Sequence, residues 1–181
     1  MKDVRPAVLD KLLCPAQVLV DGTFRTDWAV GIREGDITYL GPAKDAGPAQ
    51  ATIGLPQHAL VPGAVSTHTH SFQYLLRGFG DDLPFLEWRE RGVYKYSLNL
   101  SADDLYTGAL LCFGELLRHG CTTITDFFYL QNSSNENANA IIRAAQDLGV
   151  RIVLARAFYD WDGAPATYQE SIAGASERFL A

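Results

Sequence analysis

The sequence predicts an α/β fold: a small β-unit, then parallel βα units that open a (β/α)8 barrel without completing it. Three observations carry this. From residue 59 onward, apolar strand-like runs alternate with stretches of helical spacing, the pattern of parallel βα units with right-handed crossovers. Before them, shorter β-rich runs are separated by Asp21-Gly22 and Glu34-Gly35-Asp36, which read as hairpin turns. At the end of the first alternating strand stands His68-Thr69-His70, and barrels of this kind build their sites from strand ends.

The β-unit comes first. Ala16 to Val20, Trp28 to Arg33 and Ile37 to Leu40 are strand-like runs of a β-unit of about four short strands, with Val18, Val20, Val30, Ile32, Ile37 and Tyr39 set to pack one face. Gly41 to Gln57, rich in Ala, Gly and Pro, reads as a linking excursion. Pro62-Gly63 interrupts the apolar run Ala59 to Val65 and marks a boundary, giving expected domains 1–62 (a small β-sandwich-like unit) and 63–181 (the start of the barrel). Phe72 to Tyr96 mixes aromatic and charged residues and reads as a covering loop with a short helix near Pro84 to Arg91. Ser101-Ala102-Asp103-Asp104 starts a helix in the manner of a capping box, and Gly120 closes it. Cys121 to Phe128 is the second strand and Asn132 to Asn137 a polar loop. Asn137 to Leu148 is a helix closed by Gly149, Val150 to Phe158 the third strand, and Pro165 to Leu180 a third helix.

Composition bounds the partners. The chain has 181 residues, a formal net charge of -6 and 48% hydrophobic residues. The acidic balance, with no cluster of Lys or Arg, argues against a nucleic-acid footprint. No apolar run reaches the length of a membrane span, and Met1 to Pro6 lacks the apolar core of a signal peptide. Cys14, Cys112 and Cys121 show no CxxC spacing, so reduced thiols in a cytoplasmic protein are the expectation. Cys112, on an apolar helical face, and Cys121, opening a strand, read as small core residues.

The chemistry rests on the His pair. Side chains at i and i+2 of a strand share a face, so His68 and His70 can reach one point beyond the strand's end. Two imidazoles are fewer than the three protein ligands of a catalytic zinc site. The chain alone is therefore not expected to turn over substrate. On spacing alone, a solvated loop with two neighbouring histidines is an equal alternative.

Leu60-Val61-Pro62-Gly63, His68-Thr69-His70, Leu75-Leu76-Arg77-Gly78 and Gly120-Cys121-Thr122-Thr123-Ile124-Thr125-Asp126 together resemble the amidohydrolase superfamily, in its aminohydrolase branch. The resemblance implies a divalent metal, most commonly zinc, held in part by His68 and His70. It also implies activated-water attack on an sp2 carbon of a non-peptide C–N bond in a small-molecule substrate. The remaining ligands of that family lie in later strands and have no counterpart here, and Asp126 reads as structural. His58 and His119 read as structural too.

Two substrate readings follow from the resemblance. Asp81-Asp82-Leu83-Pro84 with Trp88 resembles the covering loop of adenosyl-type deaminases, although Ser97 stands near the place of their ribose-binding acid. His68-Thr69-His70-Ser71-Phe72-Gln73, Trp88-Arg89-Glu90 and Phe128-Tyr129-Leu130 resemble segments of formimidoylglutamate deiminase, which makes Gln73, Arg89 and Tyr129 candidate substrate-binding residues, as the first resemblance makes Trp88. A formimino or amidine substrate is slightly favoured over a nucleobase. Arg89 can pair bidentately with a carboxylate, or it can be a solvated charge beside Glu87 and Glu90. The unpaired edge of the last parallel strand invites a complementing C-terminal chain or a homo-oligomer. A non-catalytic truncated or assembly protein that keeps only the fold's opening is the alternative function.

Overall fold

The structure, a computed structural model, describes residues 8–131 and 134–180. The signal-peptide reading at Met1 to Pro6 and two residues of the polar loop, 132 and 133, lie outside them. The described residues fall into two compact units that divide between Pro62 and Gly63.

The first unit is one connected sheet of five strands: β1 (Leu9–Val20), β2 (Thr23–Thr26), β3 (Trp28–Arg33), β4 (Asp36–Pro42) and β5 (Ala49–Leu60). The long β1 organises it. Along one edge β1 pairs antiparallel with β3 through Lys11–Leu13 and then with β2 through Gln17–Val20, and it also pairs in parallel with β5. The hairpin turns form as their residues predict. Asp21 and Gly22 have φ of 47° and 73°, Glu34 and Gly35 of 54° and 87°, the left-handed pair that a tight primed turn requires. Leu9, Leu12 and Ala29 are buried at its centre.

Two expectations are corrected here. There are five strands rather than four, because most of the expected linking excursion is the strand β5. Its side chains are almost all exposed, so it shows no apolar alternation. It is held instead by backbone pairing to a strand some 40 residues earlier in the chain. Ile37, expected to pack, is 69% exposed.

The second unit holds a three-stranded parallel sheet in the order β6 (Ala64–Thr69), β7 (Cys121–Phe128), β8 (Arg151–Arg156). The apolar run at residues 59–65 is split, since Ala59 and Leu60 belong to β5 and β6 begins only at Ala64. After β6 the chain forms a 3-10 helix, Ser71–Leu76. It then runs without a break through α1 (Phe85–Trp88), a π-helical turn (Arg89–Tyr94) and α2 (Lys95–Ser97). The expected covering loop is thus largely helical.

Helix α3 (Ala102–Arg118) starts with the capping box its sequence announces, Ser101 and Asp104 bonding reciprocally. Helix α4 (Glu136–Leu148) ends at Gly149 with φ of 69°, the left-handed C′ position that glycine fills without strain. The third helix is shorter than expected. A 3-10 turn (Ala166–Tyr168) precedes α5 (Ile172–Leu180), because Pro165 and the bonded stretch around Tyr159 and Gln169 stand where a longer helix would run. Phe72, Leu105, Phe113, Ile124, Phe128, Ile141 and Tyr168 are fully buried between these helices and the sheet. Cys112 and Cys121 are buried and free, and burial pushes the Cys112 thiol up to about 12, an unreactive core group. No helix among the described residues is long and apolar enough to cross a membrane.

Candidate metal and substrate site

His68 and His70 stand at the carboxyl end of β6. Their Nε2 atoms lie 3.1 Å apart. Nδ1 of His70 is 2.7 Å from the Phe127 carbonyl oxygen. A carbonyl only accepts, so Nδ1 carries the proton and Nε2 of the neutral ring presents its lone pair. Burial lowers the His70 pKa below the ordinary histidine value, only partly offset by that carbonyl, which keeps the ring in the neutral form that ligates a metal. Two nitrogens each about 2.0–2.1 Å from one tetrahedral zinc sit roughly 3.3 Å apart. The observed pair fits two positions of such a site. Among the described residues, no three His, Cys, Asp or Glu side chains converge on one point.

The two imidazoles form the foot of a cleft of about 280 Å³. The sequence-predicted residues Gln73, Trp88, Arg89 and Tyr129 all line the same cleft. Nε2 of Gln73 donates to the Tyr129 hydroxyl at 2.8 Å, and burial raises the phenol's pKa, so Tyr129 stays protonated. The Tyr129 ring meets that of His70 edge-on at 5.4 Å.

Arg89 is half-buried and its fork is engaged by its neighbours. Its guanidinium lies 4.9 Å from the Tyr94 ring centre, Nη2 donates to Glu90 at 2.8 Å, and Nε is buried without a partner among the described residues. Ser97 does not face the cleft. It is buried, donates to the Val93 carbonyl at 2.5 Å and contacts the Tyr168 hydroxyl.

Sequence reasoning missed Phe127, Tyr159 and Trp161, which also line the cleft. Their signal was position, because each follows or ends a parallel strand at its carboxyl end, where barrel sites are built. Asp126 does not line the cleft, being fully buried with both carboxylate oxygens bonded to Ser71.

The sequence model of the amidohydrolase family matches residues 59–180. The chain belongs to this family. Among curated amidohydrolase relatives, a 5-methylthioadenosine/S-adenosylhomocysteine deaminase of Desulfitobacterium hafniense is 32% identical over 154 residues, 82% of this chain and 34% of the relative. A 5'-deoxyadenosine deaminase of Methanosarcina mazei is 36% identical over 112 residues, 62% of this chain and 25% of the relative. This chain therefore spans about a third or less of the length of these relatives. Among solved structures, an adenosine deaminase from Xanthomonas campestris with bound zinc superposes with a TM-score of 0.82 at 25% identity, covering 96% of this chain and 39% of that one. A triazine hydrolase from Arthobacter aurescens gives a TM-score of 0.84 at 20% identity over 94% of this chain and 41% of its own, a likeness of fold. Zinc in the first of these supports a divalent metal as the family's cofactor.

Proposed function

We propose that this chain contributes the opening of a (β/α)8 hydrolase that deaminates a small molecule through a bound divalent metal, with zinc the metal of choice. Its five-stranded unit corresponds to the small sandwich that precedes such a barrel. The observation that carries this is the pair of imidazoles with Nε2 atoms 3.1 Å apart at the foot of an aromatic-walled cleft. Zinc bound there would supply Lewis-acid activation of water at neutral pH.

The chain's own residues do the rest. His68 and His70 would hold the ion, with His70 turned by the Phe127 carbonyl. Trp88, Tyr129 and Tyr159 give a planar substrate flat apolar surfaces to lie against. The Gln73–Tyr129 pair presents polar edges beside the histidines. Arg89 adds a fixed positive charge, shared with Glu90.

For the substrate, the named activities of the relatives favour an adenosine-type ring over the acyclic formimino group. A planar purine also suits walls built from Trp88, Tyr129, Tyr159 and Trp161. The buried, bonded state of Ser97 means that any ribose hydroxyls are met by other groups than a side chain at that position.

The deciding experiment is zinc retention by the purified chain and by a variant carrying His68→Ala and His70→Ala. The parent is expected to hold more zinc than the variant, and equal retention overturns the ligand assignment. Quenching of tryptophan fluorescence by adenosine, compared with formiminoglutamate, then ranks the two substrate classes, since Trp88 and Trp161 both line the cleft.

A further inference from the structure

Ser71 directly follows His70 and begins the 3-10 helix Ser71–Leu76. Its backbone N–H donates to Oδ1 of Asp126 at 2.9 Å, and its hydroxyl donates to Oδ2 at 2.5 Å. Both residues are fully buried. The next residue of β7, Phe127, accepts the His70 Nδ1–H. Two consecutive residues at the end of β7 thus grip two consecutive residues just beyond β6 with three hydrogen bonds.

The grip is needed because the β6–β7 ladder loosens there. Its register shifts between Ser66 and Thr69, and the last pair is Thr69 with Asp126. Beyond that point, no strand pairing holds the chain at His70. A carboxylate suits this place better than any other short side chain. It offers two acceptor oxygens and no donor, whereas Ser71 presents two donors side by side.

The geometry points to Asp126 as a positioning residue for the metal centre. Its carboxylate acts through Ser71 to fix His70 with Nδ1 on the Phe127 carbonyl and Nε2 facing His68. This rests on the assignment of His68 and His70 as ligands. Asp126 itself does not touch the ion, since both its oxygens are committed to Ser71. The role is that of the outer partners that orient a metal-bound histidine, whose loss costs about ten- to a hundredfold in metal affinity.

The competing role is simple capping, in which Asp126 satisfies the first N–H of the 3-10 helix and does nothing for His70. Two readouts on the chain labelled with 15N-histidine separate these. Nuclear magnetic resonance of the metal-free protein reports which His70 ring nitrogen carries the proton, and titration with Zn2+ reports affinity.

The parent is expected to show the Nδ1–H form. Asp126→Asn, which keeps one acceptor and places an NH2 against a donor, is expected to mix the two tautomers and weaken zinc binding about ten- to a hundredfold. Ser71→Ala, which keeps the backbone bond alone, is expected to fall between. A folded Asp126→Asn with the parent's tautomer and zinc affinity, and only a lower melting temperature, overturns the proposal. If Asp126→Asn does not fold, Ser71→Ala decides in the same way. A changed tautomer in a chain whose parent binds no zinc supports the link from Asp126 to His70 while overturning the ligand assignment.

Discussion

Two buried carboxylates in the second unit are handled in opposite ways. Asp126 has only neutral donors, both from Ser71, and burial pushes its pKa up to about 6 despite those bonds. Glu170 is bonded by Arg156 through both guanidinium ends, at 2.7 and 2.9 Å, and is also contacted by Arg178. The Arg156 bond is the main cause that holds its pKa below the ordinary glutamate value. Both residues are buried, Glu170 at 7% exposure and Asp126 at 0%. What differs is whether charge or only hydrogen bonding compensates the lost water. The first ties down a chain turn beside the candidate ligands, and the second locks the segment that follows β8.

The largest expected effect breaks the charged side of that comparison. Glu170→Ala leaves Arg156, whose side chain is 7% exposed, without its bidentate partner, and an uncompensated buried charge costs about 3–5 kcal/mol. Chemical denaturation of parent and variant measures this directly. A loss below about 1 kcal/mol would mean that the network behaves like a surface pair.

Asp126→Ala removes neutral-donor bonds only. It leaves two neutral donors, the Ser71 N–H and hydroxyl, buried and unbonded at about 1–3 kcal/mol each, where Glu170→Ala strands charged groups. The variant is expected to be destabilised less than Glu170→Ala, and a reversal of that order would put the larger share of the energy in the turn at Ser71.

The two sites also respond to pH with opposite sign. For Glu170 the folded-state pKa is depressed, so its contribution is present above the ordinary glutamate value and is lost as pH falls through the folded one. For Asp126 the folded pKa is raised from 3.8 to about 6, so the folded state holds the proton more tightly. Its contribution is full below about pH 4 and falls as pH rises to about 6. Denaturation midpoints between pH 3 and 7 are expected to rise more steeply with pH in Asp126→Asn than in the parent. In Glu170→Gln they are expected to lose the acid-side rise. Parallel curves for all three proteins would show that neither carboxyl titrates differently on folding.

What the sequence showed and what it hid follow the same division between near and far. The hairpin turns at Asp21-Gly22 and Glu34-Gly35, the capping box at Ser101 and Asp104 and the closing Gly149 were all legible, because each is decided by residues within a turn of one another. The histidine spacing was legible too, since i and i+2 on a strand share a face whatever surrounds them. Strand β5 was not, because its pairing with β1 is long-range and its exposed side chains leave no alternation to read. Nor was the bond from Asp126 to Ser71, which spans 55 residues. Tyr159 and Trp161 were passed over because aromatics beyond a strand end carry no spacing of their own. The helical run from Phe85 to Ser97 was read only in part, since it passes through a π-turn at Arg89–Tyr94 that breaks the 3.6-residue period.

The smallest effect completes the comparison by giving a carboxylate that is charged, paired and wet. Arg77 donates to Glu115 at 2.7 Å, with side chains 66% and 38% exposed, and the same Nη1 reaches the Tyr74 hydroxyl at 2.6 Å. The distance equals that of the shorter Arg156–Glu170 bond, so geometry alone would rank the two pairs together. Solvent is what separates them. Water screens the exposed pair, and salt weakens it further. A double-mutant cycle with Arg77→Ala and Glu115→Ala is expected to return a coupling of about 0.2–1 kcal/mol, shrinking between 0.05 and 1 M NaCl, values chosen on the order of those that shorten the Debye length most. A coupling that matches the buried network, or that holds steady with salt, would mean that burial is not what distinguishes the carboxylates of this fold.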